Sequence, residues 1–406
     1  MIELQQAQEI VLSNITQLPI TIVPLAECDG LLTATEIKSA ESIPPFDNTA
    51  VDGFALNFDA VASGKREFEI VGTIAAGDPG DIPLEPSTTV RIMTGAPLPA
   101  GADCVLMVED SKVSDRSGKT YLSFDRTLSK LENVRGTGSD IRKGQLLFPA
   151  NTQLFPGHLG VLASLGIHEL SVFKRPRVGV ISTGSELSND SGPLLPGQIR
   201  DSNRPTLMGL VKEVGATPVD LGTVEDDPSK LRESFLQAAA TCDTVLSSGG
   251  VSVGDFDYTK QILDDLSHGT MSWMQIAIKP AKPFAFGLIG STPIFGLPGN
   301  PVSSAVSFEL LARPAIKKMM GHLGVFRTPI LAIADADLRR RADDKLHFLR
   351  VTAKIESDGR IHVEPQPGQS SHLLYSMSNS NALAIVPNGQ GYKVGDEVET
   401  LLLRNL

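Results

Sequence analysis

Apolar residues recur at Leu4, Ala7, Val11 and Ile15, a one-sided stripe that predicts a helix over 3–15 in need of a partner surface. From 51 to 150 the texture changes to short β-prone runs at 68–71, 90–93, 104–108 and 121–124, separated by turn residues. That pattern predicts a small β-rich region, with a return to helix over 159–165. Val178-Gly179-Val180-Ile181 then reads as a buried strand. Leu207, Leu210, Val211 and Val214 share one face of a helix over 203–214, and Gly215 stops it. A strand at 217–221, a helix at 228–240, a strand at 243–246 and a helix at 258–266 follow. Strands at 276–278 and 294–295 and a long helix over 302–320 complete the series. Alternating strand and helix predicts an α/β region, a parallel sheet covered on both faces. Beyond 327 the helices stop. Leu349, Val351, Ala353 and Ile355 alternate with polar residues as in a half-buried strand, so a second β region is expected.

At 406 residues the chain is long for one core, and several domains are expected. A hydrophobic content of 41% and a charged content of 20% are those of a soluble globular protein. The net charge of −11 and the absence of a Lys/Arg-rich run argue against a nucleic-acid surface. Cys28, Cys104 and Cys242 are far apart and form no CxxC, which suits a reducing, cytoplasmic setting. The histidines have no zinc-ligand spacing. No signal peptide is visible, and no apolar run is long enough to span a membrane.

The chemistry gathers in loops after the α/β strands. Ser182-Thr183-Gly184-Ser185-Glu186 follows the first strand, Glu225-Asp226-Asp227 the second, and Ser247 to Asp257 the third. Gly296-Leu297-Pro298-Gly299-Asn300-Pro301 follows a later one. In an open parallel sheet such loops converge on the carboxyl edge, where ligands sit. Glu186, Asp226 and Asp257, with hydroxyls from Ser182, Thr183 and Ser303, would suit a divalent cation and a phosphate-bearing ligand. Asp227 reads as a helix N-cap, and Asp226 fits either role. Lys279 and Lys282, held on a stiff loop by Pro280 and Pro283, suit a compact oxyanion. Those prolines are also expected to prevent regular pairing. Neither GxxxxGK[ST], GxGxxG nor GxSxG occurs, which removes the strongest signals for an ATPase, a dinucleotide enzyme or an α/β-hydrolase.

Seven segments, in order, resemble the molybdopterin molybdenumtransferase family, the MoeA proteins and the E domain of gephyrin. They are 46–55 (FDNTAVDGFA), 91–96 (RIMTGA), Asn133-Val134-Arg135 with Asp140-Ile141, 182–187 (STGSEL), 248–252 (SGGVS), 279–283 (KPAKP) and 297–303 (LPGNPVS). The resemblance implies an α/β plus β multidomain protein. A central doubly wound molybdopterin-binding domain would cover 177–326 and a small β-barrel-like domain 327–406. A β-rich domain would cover 51–140, and a discontinuous helical linking domain 1–50 and 141–176.

The resemblance also implies the reaction, in which adenylylated molybdopterin and molybdate give the molybdenum cofactor and AMP with Mg²⁺ assisting. Lys279, Lys282, Ser303, Arg350 and Ser371 match the family's molybdate cradle. Glu186 and Asp257 would hold the metal. Asp226, Ser182, Thr183, Ser248, Gly249, Gly250, Ser252 and Pro298 would line the substrate site. Asp52, Thr94, Arg135 and Asp140 would close the cleft from the other subunit of a homodimer. The upstream molybdopterin adenylyltransferase is a further expected partner. Two departures stand out: Asp255 where the family commonly has Glu, and Gln275 where it commonly has Lys. A non-catalytic scaffold role and a nucleotide hydrolase are the competing classes.

Overall fold

In the computed structural model the described residues are 1–188, 190–250 and 258–406. They pack as two compact units. One holds residues 1–34, 153–155 and 170–406, and the other residues 35–152 and 156–169.

The first unit is built on a six-stranded sheet. Its order is Thr217–Val224, Arg177–Thr183, Thr244–Ser248, Thr292–Leu297, Pro283–Ile289 and Ser272–Gln275. Leu246 and Val245, adjacent in one strand, are buried in two different cores, because successive side chains in a strand face opposite ways. Leu207 and Val211 of the helix Asn203–Glu213 join Leu246 on one face. Leu231 and Phe235 of the helix Pro228–Thr241, with Ile262 and Leu263 of Tyr258–Leu266, join Val245 on the other. Helices thus cover both faces. The helix Leu4–Ser13 buries Ala7 and Val11 in the first of these cores, the partner surface its stripe requires.

The sheet is mixed rather than parallel as expected. Four neighbouring strands are parallel; Pro283–Ile289 runs against them, and Ser272–Gln275 pairs antiparallel with Pro283–Ile289. Pro283–Ile289 pairs back on Thr292–Leu297 through a tight turn, with Ile289 opposite Thr292 and Gly290 at φ +61°. No helix intervenes there, so the alternation of strand and helix breaks down. The strand expected at 276–278 is replaced by two, Ser272–Gln275 and Ile278–Lys279, with Ile276 and Ala277 between them. The long helix is present in three parts: Pro301–Ser307, a π-helical turn at Phe308–Ala312, and Arg313–Met319. The wider turn sits just before Pro314, which has no N–H to give and whose ring disturbs α-helical pairing.

Beyond 327 the strands close into a five-stranded barrel. Leu346–Ile355 pairs with Ile361–Pro365, that with Ile330–Ala334, that with Glu397–Leu402, that with Ala382–Val386, and that again with Leu346–Ile355. Leu346–Ile355 is not half-buried as expected. Leu349, Val351 and Ala353 fill the barrel, while Phe348 packs into the core of the α/β sheet. Both faces are therefore covered from His347 to Val351, and alternation reappears only near Ile355, which is 63% exposed. One short helix, Leu374–Ser378, interrupts this otherwise β region.

The second unit holds a six-stranded sheet ordered Cys104–Met107, Gly53–Leu56, Thr88–Ile92, Glu67–Ile74, Lys119–Ser123 and Lys112–Arg116. Gly53 lies against the neighbouring strand so closely that an added Cβ would be 2.0 Å from the Leu106 carbonyl oxygen. The helix Pro156–Ser164 belongs to this unit.

Candidate active site

At the carboxyl edge of the α/β sheet the loops are tied to one another. Ser185 N–H donates to Asp226 at 3.0 Å, and Asp226 N–H donates to the Ser185 hydroxyl at 3.2 Å. Asp226 thus commits one carboxylate oxygen to clamping two strand-end loops. Asp227 caps the helix Pro228–Thr241, accepting from Ser229 and Lys230 N–H groups at 3.0 and 2.9 Å. Glu186 is exposed, and its carboxylate lies over Gly184, where an added Cβ would meet Oε2 at 2.6 Å. Ser182, Thr183 and Ser248 are buried at the strand ends, and Ser182 Oγ has no hydrogen-bond partner among the described residues. Gly249, at φ +98°, sits where a Cβ would meet the Thr183 carbonyl oxygen at 2.6 Å, so glycine is required there. Gly250 follows at φ +68°, and Pro298 is buried in the next loop. Ser252 and Asp257, and with them Asp255, lie outside the described residues.

Arg350 is the centre of a second cluster. Its side chain is 0% exposed. Nε donates to Ser376 Oγ at 2.9 Å, and Nη2 donates to the carbonyls of Gly368 at 2.8 Å and Ser370 at 3.2 Å. Nη1 is buried with no partner among the described residues. No carboxylate pairs with this guanidinium among the described residues, and burial pushes its pKa down to about 10. A buried cation with a spare donor is costly unless an anion completes it. Ser371 follows Ser370 in the chain, and its carbonyl accepts from Val302 N–H at 3.1 Å, which ties in the segment that carries buried Ser303.

Ile278 and Lys279 pair in parallel with Leu346 and His347 of the barrel strand that carries Arg350. Lys279 and Lys282 are both exposed. Their loop is pinned by the Ile276 N–H, which donates to the Lys282 carbonyl at 2.8 Å, and by Ala281 at φ +79°. Pro280 is outside any strand as expected, but Pro283 opens a strand opposite Gln275. Proline is tolerated there because a first strand residue need not donate to the ladder.

In the second unit Asp52 and Thr94 are brought together by two hydrogen bonds on one carboxylate oxygen. The Thr94 N–H foremost, and then its hydroxyl, hold the Asp52 carboxyl below its ordinary range. Asp47 repeats the device, accepting the N–H and hydroxyl of Thr137 at 2.6 and 2.7 Å. Arg135 stands opposite Asn48 in a short antiparallel pair, and exposed Asp140 donates its N–H to the Ile43 carbonyl at 3.0 Å.

Three residues with structural roles at these sites escape the sequence reading. Asn203 donates to Ser248 Oγ and to the Gly299 carbonyl, both at 2.7 Å, tying two strand-end loops. Its place at the start of a helix was the available signal. Gln369 accepts from Arg350 N–H at 3.0 Å and donates to Arg350 C=O at 2.9 Å. Ser376 braces the same guanidinium. Neither carries a local motif.

Residues 2–166 match the model of the MoeA N-terminal region (domains I and II), 179–318 that of a probable molybdopterin binding domain, and 334–403 that of the MoeA C-terminal region (domain IV). The molybdopterin molybdenumtransferase of Haemophilus influenzae is 35% identical over 93% of this chain and 92% of its own length. That of Bacillus subtilis is 34% identical over 91% and 87%. A solved structure of the molybdopterin biosynthesis MoeA protein of Pyrococcus horikoshii superposes with a TM-score of 0.78 at 28% identity, covering 99% of this chain and 100% of its own. With relatives of this identity along nearly its whole length, the chain belongs to the molybdopterin molybdenumtransferase family, the MoeA proteins.

Proposed function

We propose that this chain is an enzyme that inserts molybdenum into adenylylated molybdopterin, taking molybdate as the metal source and releasing AMP. The observation that carries this reading is the buried, carboxylate-free guanidinium of Arg350 with its spare Nη1 donor. A tetrahedral oxyanion supplies the missing acceptor. On this reading Ser303 and Ser371, on segments tied to the Arg350 cluster, offer hydroxyl groups, and the exposed Lys279 and Lys282 draw the anion in. No protein thiol is needed as a metal ligand, since the organic substrate brings its own dithiolene. The three cysteines are buried and free, in keeping with a cytoplasmic, reducing setting. Among the described residues no helix is long and apolar enough to cross a membrane.

The reading calls for Mg²⁺. Among the described residues no three His, Cys, Asp or Glu side chains converge on one point. Mg²⁺ does not require that, because it keeps several waters and binds through one or two carboxylates and substrate phosphates. Exposed Glu186 at the sheet edge fits such an ion, and Asp257 is assigned beside it from sequence. When bound, the ion neutralises charge on the phosphate oxygens. The protein's own part is to fix the edge: Asp226 and Ser185 lock two loops, and Asn203 locks two more.

We further assign Asp52, Thr94, Arg135 and Asp140 to a cleft completed by the second subunit of a homodimer, with the upstream adenylyltransferase handing over the organic substrate. The test is to incubate the protein with adenylylated molybdopterin, Mg²⁺ and molybdate while following AMP release and cofactor formation. Wild type should produce both in step. Binding without AMP release would instead make the chain a molybdopterin-binding scaffold.

A further inference from the structure

We infer that a basic cavity beside Arg350 is a separate phosphate-ester seat for the organic substrate. The inference rests on the molybdenum-insertion reading above. The cavity, of about 280 Å³, is lined by Lys279, Arg339, Arg341, His347, Phe348 and Gln369 among others. Its size suits one end of a substrate rather than a whole one.

Three observations give the cavity its charge. The Arg340 side chain is wholly buried and spends its guanidinium on the Lys345 carbonyl, Asp343 and Asn388. It anchors the loop and leaves the flanking Arg339 and Arg341 exposed. Arg341 and Lys279 have no ion pair among the described residues, and Arg339 has only a long contact of 3.6 Å to Asp337. The one acid behind the wall, Asp343, is already shared by Arg340, Lys345 and His347 at 2.9, 3.2 and 2.9 Å. Lys279, Arg339 and Arg341 therefore face the cavity with little to neutralise them. Burial foremost, and to a lesser extent Arg340 and Lys279, push the His347 pKa down against the opposing hydrogen bond to Asp343.

The two anion seats differ in kind and share a wall. Gln369 lines the cavity while clamping the main chain of Arg350. Arg350 is dry and rigidly braced, as a compact metal oxyanion requires. Arg339 and Arg341 are long, wet and adjustable, and their planar forks match phosphate oxygens. An adenylylated substrate carries such oxygens in the phosphate linkage between its pterin and adenosine parts, and the molybdate must arrive at another point. Two seats that meet at Lys279 allow both to be held side by side.

The experiment measures binding of AMP, adenosine and molybdate by calorimetry at two salt concentrations. The proteins are wild type, Arg339→Ala/Arg341→Ala and Ser303→Ala. The double variant should bind AMP about tenfold more weakly, as expected for loss of charge-assisted contacts. Its molybdate affinity should stay within about twofold at the higher salt, where distant charges are screened. Ser303→Ala should show the reverse pattern, and adenosine should respond to neither change. No AMP binding to wild type, an unchanged AMP affinity in the double variant, or equal loss of both anions would each overturn the second seat. Failure of wild type to bind molybdate would instead overturn the reading on which it rests, and the AMP arm would report that separately.

Discussion

Asp52 Oδ1 accepts both the backbone N–H of Thr94, at 2.7 Å, and the Thr94 hydroxyl, at 2.8 Å. Two segments 42 residues apart thus share one carboxylate oxygen. Thr94→Val removes the hydroxyl donor and keeps the backbone one. The Asp52 pKa should then rise toward the ordinary value of about 3.9. Because the folded pKa is depressed, its contribution to stability is present above about pH 4 and is lost as pH falls through the folded value. A carbon-detected NMR titration of Asp52 in both proteins measures the shift. Identical titration curves would show that the hydroxyl contributes nothing.

Gly53→Ala should destabilise the second unit by about 2–3 kcal/mol, the cost of overpacking a closed contact. The added Cβ would meet backbone, the Leu106 carbonyl oxygen, which cannot swing aside as a side chain can. Urea denaturation followed by circular dichroism gives the value, and a change under about 0.5 kcal/mol, the size expected of an ordinary surface site, would count against the close approach.

Arg350→Met should abolish molybdate binding while leaving stability within about 2 kcal/mol of wild type, because replacing a buried uncompensated charge by an apolar side chain removes its desolvation cost. Equilibrium dialysis with molybdate and a thermal melt separate the two effects. A folded variant that binds molybdate as wild type does would remove Arg350 from the oxyanion seat.

The shared-cleft proposal makes its own prediction. Asp52→Ala and Lys279→Ala proteins should each be inactive alone. Mixed in equal amounts and allowed to exchange, they should recover roughly a quarter of wild-type AMP release, since half of the dimers carry one intact cleft of two. No recovery after exchange, verified by mass spectrometry, would place all these residues in a single subunit's site.

His362 lies between two carboxylates, with Nδ1 2.6 Å from Asp335 and Nε2 3.1 Å from Asp358. The hydrogen bond to Asp335 first, and then that to Asp358, push its pKa up. The sign follows: the contribution is complete below about pH 6.5, the unfolded value, and is lost as pH rises through the higher folded value. His362→Gln should flatten that pH dependence of the melting temperature. An equally steep profile in the variant would assign the dependence elsewhere.

Much of the fold was legible because burial leaves a period. The helix over Tyr258–Leu266 and the helix opened by Pro228 follow directly from their apolar spacing and punctuation. The strand Pro283–Ile289 was hidden because Phe284, Ala285 and Phe286 are all buried, a run without alternation. The short helix Leu374–Ser378 buries only Ser376 and so leaves no apolar stripe. The site was legible where residues share a loop, as in 182–187 or 279–283. It was illegible where a partner lies far along the chain. Nothing local to Gln369 or Ser376 announces that they brace Arg350, 19 and 26 residues away.

The strand Ile278–Lys279 enters the molecule as part of the α/β region yet pairs with the barrel, on the edge of Leu346–Ile355 opposite Ala382–Val386. The Leu346 N–H to Ala277 carbonyl bond, 2.8 Å, continues this seam. Lys279 therefore travels with the barrel wall that carries Arg350. A swing of the barrel about the α/β sheet would leave the spacing of these two cations unchanged while altering their distance from Glu186. The grip on an oxyanion and the approach of that oxyanion to the sheet-edge loop of Glu186 are thus mechanically independent quantities.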